Sequence, residues 1–341
     1  MPATAAAQRR IAELVSRTAV HRAFHWLHLH QPQLRQWQME MVQIPAPTFH
    51  ESARAAWFLQ RFHQLGLSNI HQDAAGNVLA ELRAPSPPHP NQSPGDTPCI
   101  LLSAHLDTVF PPTTGIALLE EGPCLFAPGI CDNAAGLTAL LALAAALRHA
   151  GIAPPIPVLF AANTGEEGEG DLFGMRHLFE HSPYRHRIAA AIALEGSGTS
   201  TVVTRALGSL RFRITFTGPG GHSWIDAGAP NPILLLAHAL TRIAALPLPS
   251  APESAHQTTL NVGHISGGTS VNSIPASASA LLDIRSTDPA NLLLTAAQVR
   301  HLLEDPAPAP PAANPLAPPR IEIIGNRPAA TLPDDSPLLH T

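Results

Sequence analysis

The chain of 341 residues has no lysine: all 20 of its Lys-plus-Arg positions are arginine, and the only other basic side chains are its 19 histidines. With alanine and proline also abundant, this points to coding bias, so a lone histidine carries little weight. Charged residues make up only 13% against 45% hydrophobic, which excludes a disordered chain and allows a sizeable core. No basic block is present and the formal net charge is -5, which excludes nucleic acid as a partner. Three cysteines, Cys99, Cys124 and Cys131, do not make a disulfide framework. The N-terminal stretch has Arg9 and Arg10 but lacks the apolar core and small-residue cleavage site of a signal peptide. The longest Ala/Leu-rich run, after Asp132, is interrupted by Gly and Thr and is too short to span a bilayer comfortably. A soluble, cytoplasmic chain with no membrane partner is expected. No Gly-x-Ser-x-Gly elbow stands in a suitable strand context, which weighs against a metal-free serine hydrolase.

What is present is an alternation of apolar runs and helical periods, over a length that suggests two domains. Helices are predicted over 5–30 and 51–65, and strands over 67–71 and 78–82. A Pro/Ser/Asn-rich loop covers 84–98, and a buried strand runs from Ile100 to His105. A helix over 134–149 follows, with Asp132 or Asn133 suited to its N-cap, then a strand over 156–162, a helix over 171–181 and a strand over 188–194. This order implies an α/β fold with a mostly parallel sheet and helices on both faces. After Thr204 the pattern becomes βαββαβ, a ferredoxin-like unit inserted into the first domain, with a Pro/Ala-rich loop at 305–319.

Several chemistry-bearing residues fall just after predicted strands: His105, Asp132, Glu166 with Glu167, and Glu195. In open α/β sheets ligands collect where strands end. Each residue alone has a bland reading as a helix cap or a solvated loop charge. Together they crowd carboxylates whose burial is costly without a cation. Zinc accepts imidazole nitrogen and carboxylate oxygen, and a carboxylate bridging two ions about 3.5–4 Å apart would complete a two-metal hydrolytic site. In the His105-x-Asp107 pair the imidazole can bind metal while the carboxylate fixes its tautomer.

These stretches resemble the di-zinc metallopeptidase family M20, which includes peptidase T, carboxypeptidase G, aminoacylase and acetylornithine deacetylase. The matching motifs are Ser103-Ala-His-Leu-Asp-Thr-Val109, Gly129-Ile-Cys-Asp-Asn133, Gly165-Glu-Glu-Gly168 with Gly170-Asp-Leu-Phe-Gly174, and Leu194-Glu195-Gly196. Further on they are Gly218-Pro-Gly-Gly-His222-Ser223, Gly267-Gly-Thr-Ser-Val-Asn272-Ser-Ile-Pro275 and Asp283-Ile-Arg285. The resemblance implies that His105, Asp132 and Glu195 hold one zinc, that Asp132 bridges, and that Glu167 binds the second. Glu166 would be the general base and Asp107 the support of His105. His222 would polarise the scissile carbonyl from a partner subunit, and Asn272 and Arg285 would contact substrate. Cys131, beside a candidate ligand, is read as a packing residue.

The same resemblance implies a catalytic part over 1–204, an inserted dimerisation lid over 205–326 and the start of a return to the catalytic part over 327–341. It also implies a late histidine for the second zinc that the chain does not supply, so a truncated chain with an incomplete second site and reduced activity is expected. His340 falls within the first returning helix, which argues against its being that ligand. The expected partners are a second copy of the chain and a small peptide or N-acyl amino acid substrate. Hydrolysis of a peptide bond is the leading expectation. The alternatives are a deacylase of the same family and a non-catalytic relative that retains dimerisation.

Overall fold

A computed structural model describes residues 5–83, 97–196, 198, 200–249, 257–304 and 318–340. The predicted loops at 84–98 and 305–319 lie largely outside these residues, as does the side chain of His340. The chain divides into two compact units, residues 1–201 with 334–341, and residues 202–333.

In the first unit the helices are α1 (Ala5–Ser16), α2 (Thr18–Leu29), α3 (Gln31–Val42), α4 (Ser52–Leu65), α5 (Ala134–His149) and α6 (Phe173–Glu180). The strands are β1 (Ser68–Gln72), β2 (Val78–Leu82), β3 (Cys99–His105), the short hairpin β4 (Leu119–Glu121) and β5 (Cys124–Phe126), then β6 (Val158–Asn163) and β7 (Ile188–Ala193). The single helix predicted over 5–30 is in fact two, because Arg17 is extended at φ -70 and ψ 130. The apolar spacing runs on through that point and no Gly or Pro marks it, so the periodicity conceals the break.

The main sheet has the order β1-β2-β6-β3-β7. The β3 strand pairs parallel with both β6 and β7, β2 pairs antiparallel with β6, and β1 pairs antiparallel with β2. Four strands therefore share one direction and β2 opposes them. Alternate β3 residues feed two cores. Leu101 joins Leu79, Leu159 and Leu178 on one face, while Ala104 joins Phe58, Phe62, Leu137, Leu141 and Phe160 on the other. Burial on both faces is what a parallel strand built of continuous apolar residues requires. The α5 helix is apolar almost all round and is correspondingly buried along most of its length.

The second unit holds β8 (Arg205–Ala206), β9 (Gly208–Thr217), β10 (Gly221–His222), α7 (Pro232–Ala244), β11 (Thr258–Gly267), β12 (Ser273–Ile274), β13 (Ser277–Ser286), α8 (Pro289–Glu304), β14 (Arg320–Arg327) and β15 (Ala330–Thr331). Its four-stranded sheet, ordered β11-β13-β9-β14, is antiparallel throughout. With α7 and α8 this gives the βαββαβ order, around a core that includes Phe212, Ile214, Leu282, Ile284, Leu236 and Val299. A last helix, α9 (Pro337–His340), belongs to the first unit. Among the described residues no helix is long and apolar enough to cross a membrane.

A buried polar knot ties the sheet together beneath β2. Glu81 is fully buried and accepts hydrogen bonds from Tyr184 Oη at 2.6 Å and Asn69 Nδ2 at 3.1 Å; it pairs closely with Arg83, and Arg187 lies 3.8 Å away. Burial pushes the Glu81 carboxyl up, but the bonds from Arg83, Tyr184 and Asn69 outweigh it and hold the carboxyl below its ordinary value. A depressed carboxyl stabilises the fold above its unfolded pKa and loses that contribution as pH falls through the folded one. Glu81→Ala strips the knot of its acceptor and leaves buried donors unpaired. We expect a loss of about 3–5 kcal/mol and a shallower acid limb of stability against pH, read by urea denaturation at stepped pH.

Candidate metal centre

The site is built from the end of β3. His105 closes the strand and is buried with only 2% of its side chain accessible. Its Nδ1 lies 3.0 Å from the Asp107 carbonyl oxygen and 3.4 Å from Asp107 Oδ1. Its Nε2 faces the other way, 2.9 Å from Asp132 Oδ1 and 3.4 Å from Glu195 Oε1. The ring thus has one nitrogen in the protein and the other in a ring of carboxylates. Among the described residues, two groups bring three candidate ligand atoms within 4.8 Å of one another: His105 with Asp132 and Glu195, and His105 with Glu166 and Glu167.

Asp107 organises the opposite wall. Its side chain is fully buried and accepts the backbone N–H of Glu166 at 3.0 Å, that of Glu167 at 2.8 Å and the Thr48 hydroxyl at 3.1 Å. Burial raises its carboxyl, but His105 and the two backbone donors outweigh that and hold it below the ordinary range. The loop carrying Glu166 and Glu167 is gripped again by Glu51, whose Oε1 accepts Gly165 N–H at 2.9 Å and Phe49 N–H at 3.0 Å. Phe49, Asp171 and Leu172 all adopt left-handed backbone at φ 67, 49 and 66, which concentrates conformational cost around this loop.

Asp132 and Glu195 are brought together by the N-terminus of α5. Asn133 caps that helix by accepting Gly136 N–H at 3.0 Å and donates from Nδ2 to Leu194 O at 3.0 Å. The Asp132–Asn133 peptide is cis. Gly136 is needed there, because a Cβ would collide with Asn133 Oδ1 and Leu194 O. The cap thereby ties the β7 end, and with it Glu195, to the residue after Asp132.

The electrostatics call for a cation. Burial opposes a charged His105, yet hydrogen bonds to Asp107 and Glu195 outweigh it and push the ring up to about 11. Burial, and then the neighbouring Glu166 and Asp132 carboxylates, push Glu167 above its ordinary value. Positive charge at His105 and a proton on Glu167 are both favoured by the neighbouring carboxylates, as a bound cation would be. One imidazole among carboxylates is a donor set that suits zinc.

Arg54 is a buried charge with no local sequence signal. It is 1% exposed, and it donates from Nη1 to Leu106 O at 2.7 Å, and from Nη2 at 2.6 Å and Nε at 3.1 Å to Ile44 O. Burial lowers it to about 10, while Asp107 and Glu51 act in the opposite direction. A charge in the first turn of a predicted helix reads as solvated surface, which is why it does not stand out as a buried counter-ion. Cys131, expected to pack, is instead exposed, with its thiol donating to Gly196 O. No cysteine belongs to either donor group.

In the second unit β10 pairs with β12, which sets His222 opposite Ser273, while Ser223 N–H donates to Asn272 O at 3.0 Å. His222 Nδ1 accepts the backbone N–H of Trp224 at 3.2 Å, so the neutral ring carries its proton on Nε2. Gly221, at φ 147, allows this turn: a Cβ there would lie 2.6 Å from Asp226 Oδ2, which accepts His222 N–H at 2.7 Å. Arg285 is not gathered with them. It sits near the far end of β13 and donates to Asp283 Oδ2 at 2.6 Å.

Residues 205–310 match the peptidase dimerisation domain, and residues 77–215 match peptidase family M28. A probable carboxypeptidase of Aspergillus clavatus is 29% identical over 294 residues, covering 79% of this chain and 62% of that protein. One from Ajellomyces dermatitidis is 31% identical over 218 residues, covering 59% of this chain and 48% of that protein. The chain therefore spans about half to just under two thirds of the length of these relatives. Among solved structures, aminopeptidase PepT from Bacillus cereus matches with a TM-score of 0.65 at 21% identity, covering 91% of this chain and 79% of that one. The YXEP protein of Bacillus subtilis, a dinuclear metal binding peptidase from the M20 family, matches at 0.57 and 14%, covering 88% and 75%. These structural matches establish a shared fold.

Arg54→Met leaves Asp107 and Glu51 without their buried counter-charge. We expect about 3–5 kcal/mol lost from stability, measured by urea unfolding. Arg54→Lys should recover part of it, by restoring charge without the three-bond grip on Ile44 and Leu106.

Proposed function

We propose that this chain, which resembles the M20 metallopeptidases in both of its units, is a zinc-dependent hydrolase of peptide bonds in small peptides. The observation that carries the reading is the convergence on one buried imidazole, His105, of carboxylates from the β6 end, the β7 end and the N-terminus of α5. On this reading residues 1–204 and 327–341 belong to the catalytic part and 205–326 form the lid through which two copies pair. The match of 205–310 to a dimerisation domain supports the pairing. Three free cysteines support work in a reducing compartment.

His105, Asp132 and Glu195 would hold one zinc, and Asp132 with Glu167 the second. When bound, zinc supplies a Lewis acid that acidifies water and polarises a carbonyl. Asp107 holds the His105 ring so that Nε2 points at the carboxylates, and it fixes the backbone of the loop that carries Glu166. Glu166 then serves as general base: it takes a proton from the attacking water and returns it to the leaving nitrogen as the C–N bond breaks. His222, with its Nε2 proton outward, is suited to donate to the oxygen of the scissile carbonyl. Asn272 and Arg285 are assigned to substrate binding, Arg285 through bidentate contact with a carboxylate.

The donor count sets the expected stoichiometry. With His105 Nε2 given to the first position, the described residues offer the second position carboxylates only. We expect one tightly held zinc per chain and a second held weakly, measured by elemental analysis after gel filtration; two tight equivalents would overturn this. Glu166→Gln should lower kcat by about 10²–10⁴-fold with zinc content unchanged, assayed on a panel of dipeptides, tripeptides and N-acetyl amino acids. A Glu166→Gln protein as active as the parent would refute the general-base assignment. Hydrolysis confined to N-acetyl amino acids would make the chain a deacylase, and absence of turnover with zinc bound would make it a non-catalytic relative.

A further inference from the structure

The α2 helix, Thr18–Leu29, has an inner and an outer face, and the outer one carries histidines at a fixed spacing. Trp26 is the buried anchor and packs with Ala145 and Ala146 of α5, flanked by Ala23 and Leu27. His21, His25 and His28 stand at i, i+4 and i+7 in the helix TAVHRAFHWLHL, and all three are exposed. At about 100° per residue they fall within about 60° of one another, on the side away from that anchor. The histidine just beyond the helix behaves differently. His30 stacks on Trp26 with ring centroids 4.1 Å apart, and its Nδ1 lies 2.8 Å from Trp26 O. Among the described residues, none of the three outer rings has a hydrogen bond or ion pair to another group, so their nitrogens are available to a ligand.

We propose that His25, with His21 on one side and His28 on the other, forms a surface site for a divalent transition-metal ion that accepts imidazole nitrogen: zinc, nickel or copper. Residues four or three apart on a helix have Cβ atoms about 5–6 Å apart. Two imidazoles at that spacing can turn through their side-chain torsions to place nitrogens about 2.0–2.1 Å from one ion. The helix fixes the backbone beforehand, so only side-chain freedom is given up. Position along the helix favours the His25–His28 end. A cation there meets the last turn, where the unpaired carbonyls carry partial negative charge. Arg17, exposed one turn before His21, repels a cation at the other end. Water completes the coordination, which makes the site exchangeable. His25 is shared by both pairs and is the indispensable member. The site uses no residue of the centre at His105 and stands whether or not the chain is a peptidase.

The test uses the full chain and nickel or zinc alone, by equilibrium dialysis with a pH-buffered metal series. The parent should bind one more equivalent than His25→Asn. His21→Asn and His28→Asn should each weaken that equivalent without removing it, and the double variant His21→Asn/His28→Asn should lose it. His50→Asn/His63→Asn, which removes two exposed histidines elsewhere, should retain it. Circular dichroism on every variant checks that α2 persists; should His25→Asn lose helix, the double variant decides. Equal uptake by the parent and a folded His25→Asn or double variant overturns the proposal. So does equal loss in His50→Asn/His63→Asn, which would mean diffuse binding to surface imidazoles.

Discussion

The Asp107 carboxylate is the interaction on which the first unit depends. It is wholly buried, and every oxygen contact it makes joins a different part of the chain: His105 on the same strand end, the Glu166–Glu167 backbone after β6, and Thr48 before α4. A buried carboxylate without such donors would take up a proton. Here the donors are the very loops that must be positioned, so the charge that needs satisfying and the geometry that needs fixing are met by the same bonds. Burial and loop geometry are therefore not in competition at this residue. The cost of the charge is offset by ordering the loop that presents Glu166 and Glu167.

The remaining charge is divided by depth. Behind the strand end, Asp107, Glu51 and Arg54 are all buried, and one cation stands against two carboxylates. In front of it, the side chains of Asp132 and Glu195 remain 61% and 57% accessible. That division follows from desolvation. The inner carboxylates are met by fixed donors, while the outer ones stay wet, where water can solvate their charge. Only His105 crosses the boundary, with Nδ1 facing inward and Nε2 outward.

This division also explains what could be read from the chain itself. His105, Glu166, Glu167 and Glu195 were legible because each ends or follows an apolar run that could only be a buried strand, and strand ends of a parallel sheet lie together; Asp132, expected just after a strand, stands instead at the N-terminus of α5. The α5 helix was legible in its span, since its apolar content is dense, while its cap was left between Asp132 and Asn133 and proves to be Asn133. Arg54 and Glu51 were not, because at the start of a helix a charge looks the same whether it meets water or a buried carboxylate. Only the fold supplies Ile44, Leu106 and Gly165 as their partners. The break at Arg17 was equally hidden, since the periodicity continues through it.

Histidine shows the two ways in which position gives a residue meaning. In a chain with 19 of them and no lysine, composition alone makes any one uninformative. His105 acquires a role through tertiary convergence: its neighbours come from residues 107, 132 and 195, and no local pattern contains them all. His21, His25 and His28 gain their proposed role through the helical repeat, which sets them on one face once Trp26 holds α2 against α5. The first kind is rigid and buried, with its ring orientation fixed by Asp107. The second is exposed and gains order only from a ligand. A metal ion at His105 would meet a site whose geometry is already settled, whereas one on α2 would have to draw its ligands together, and must be held the more loosely for it.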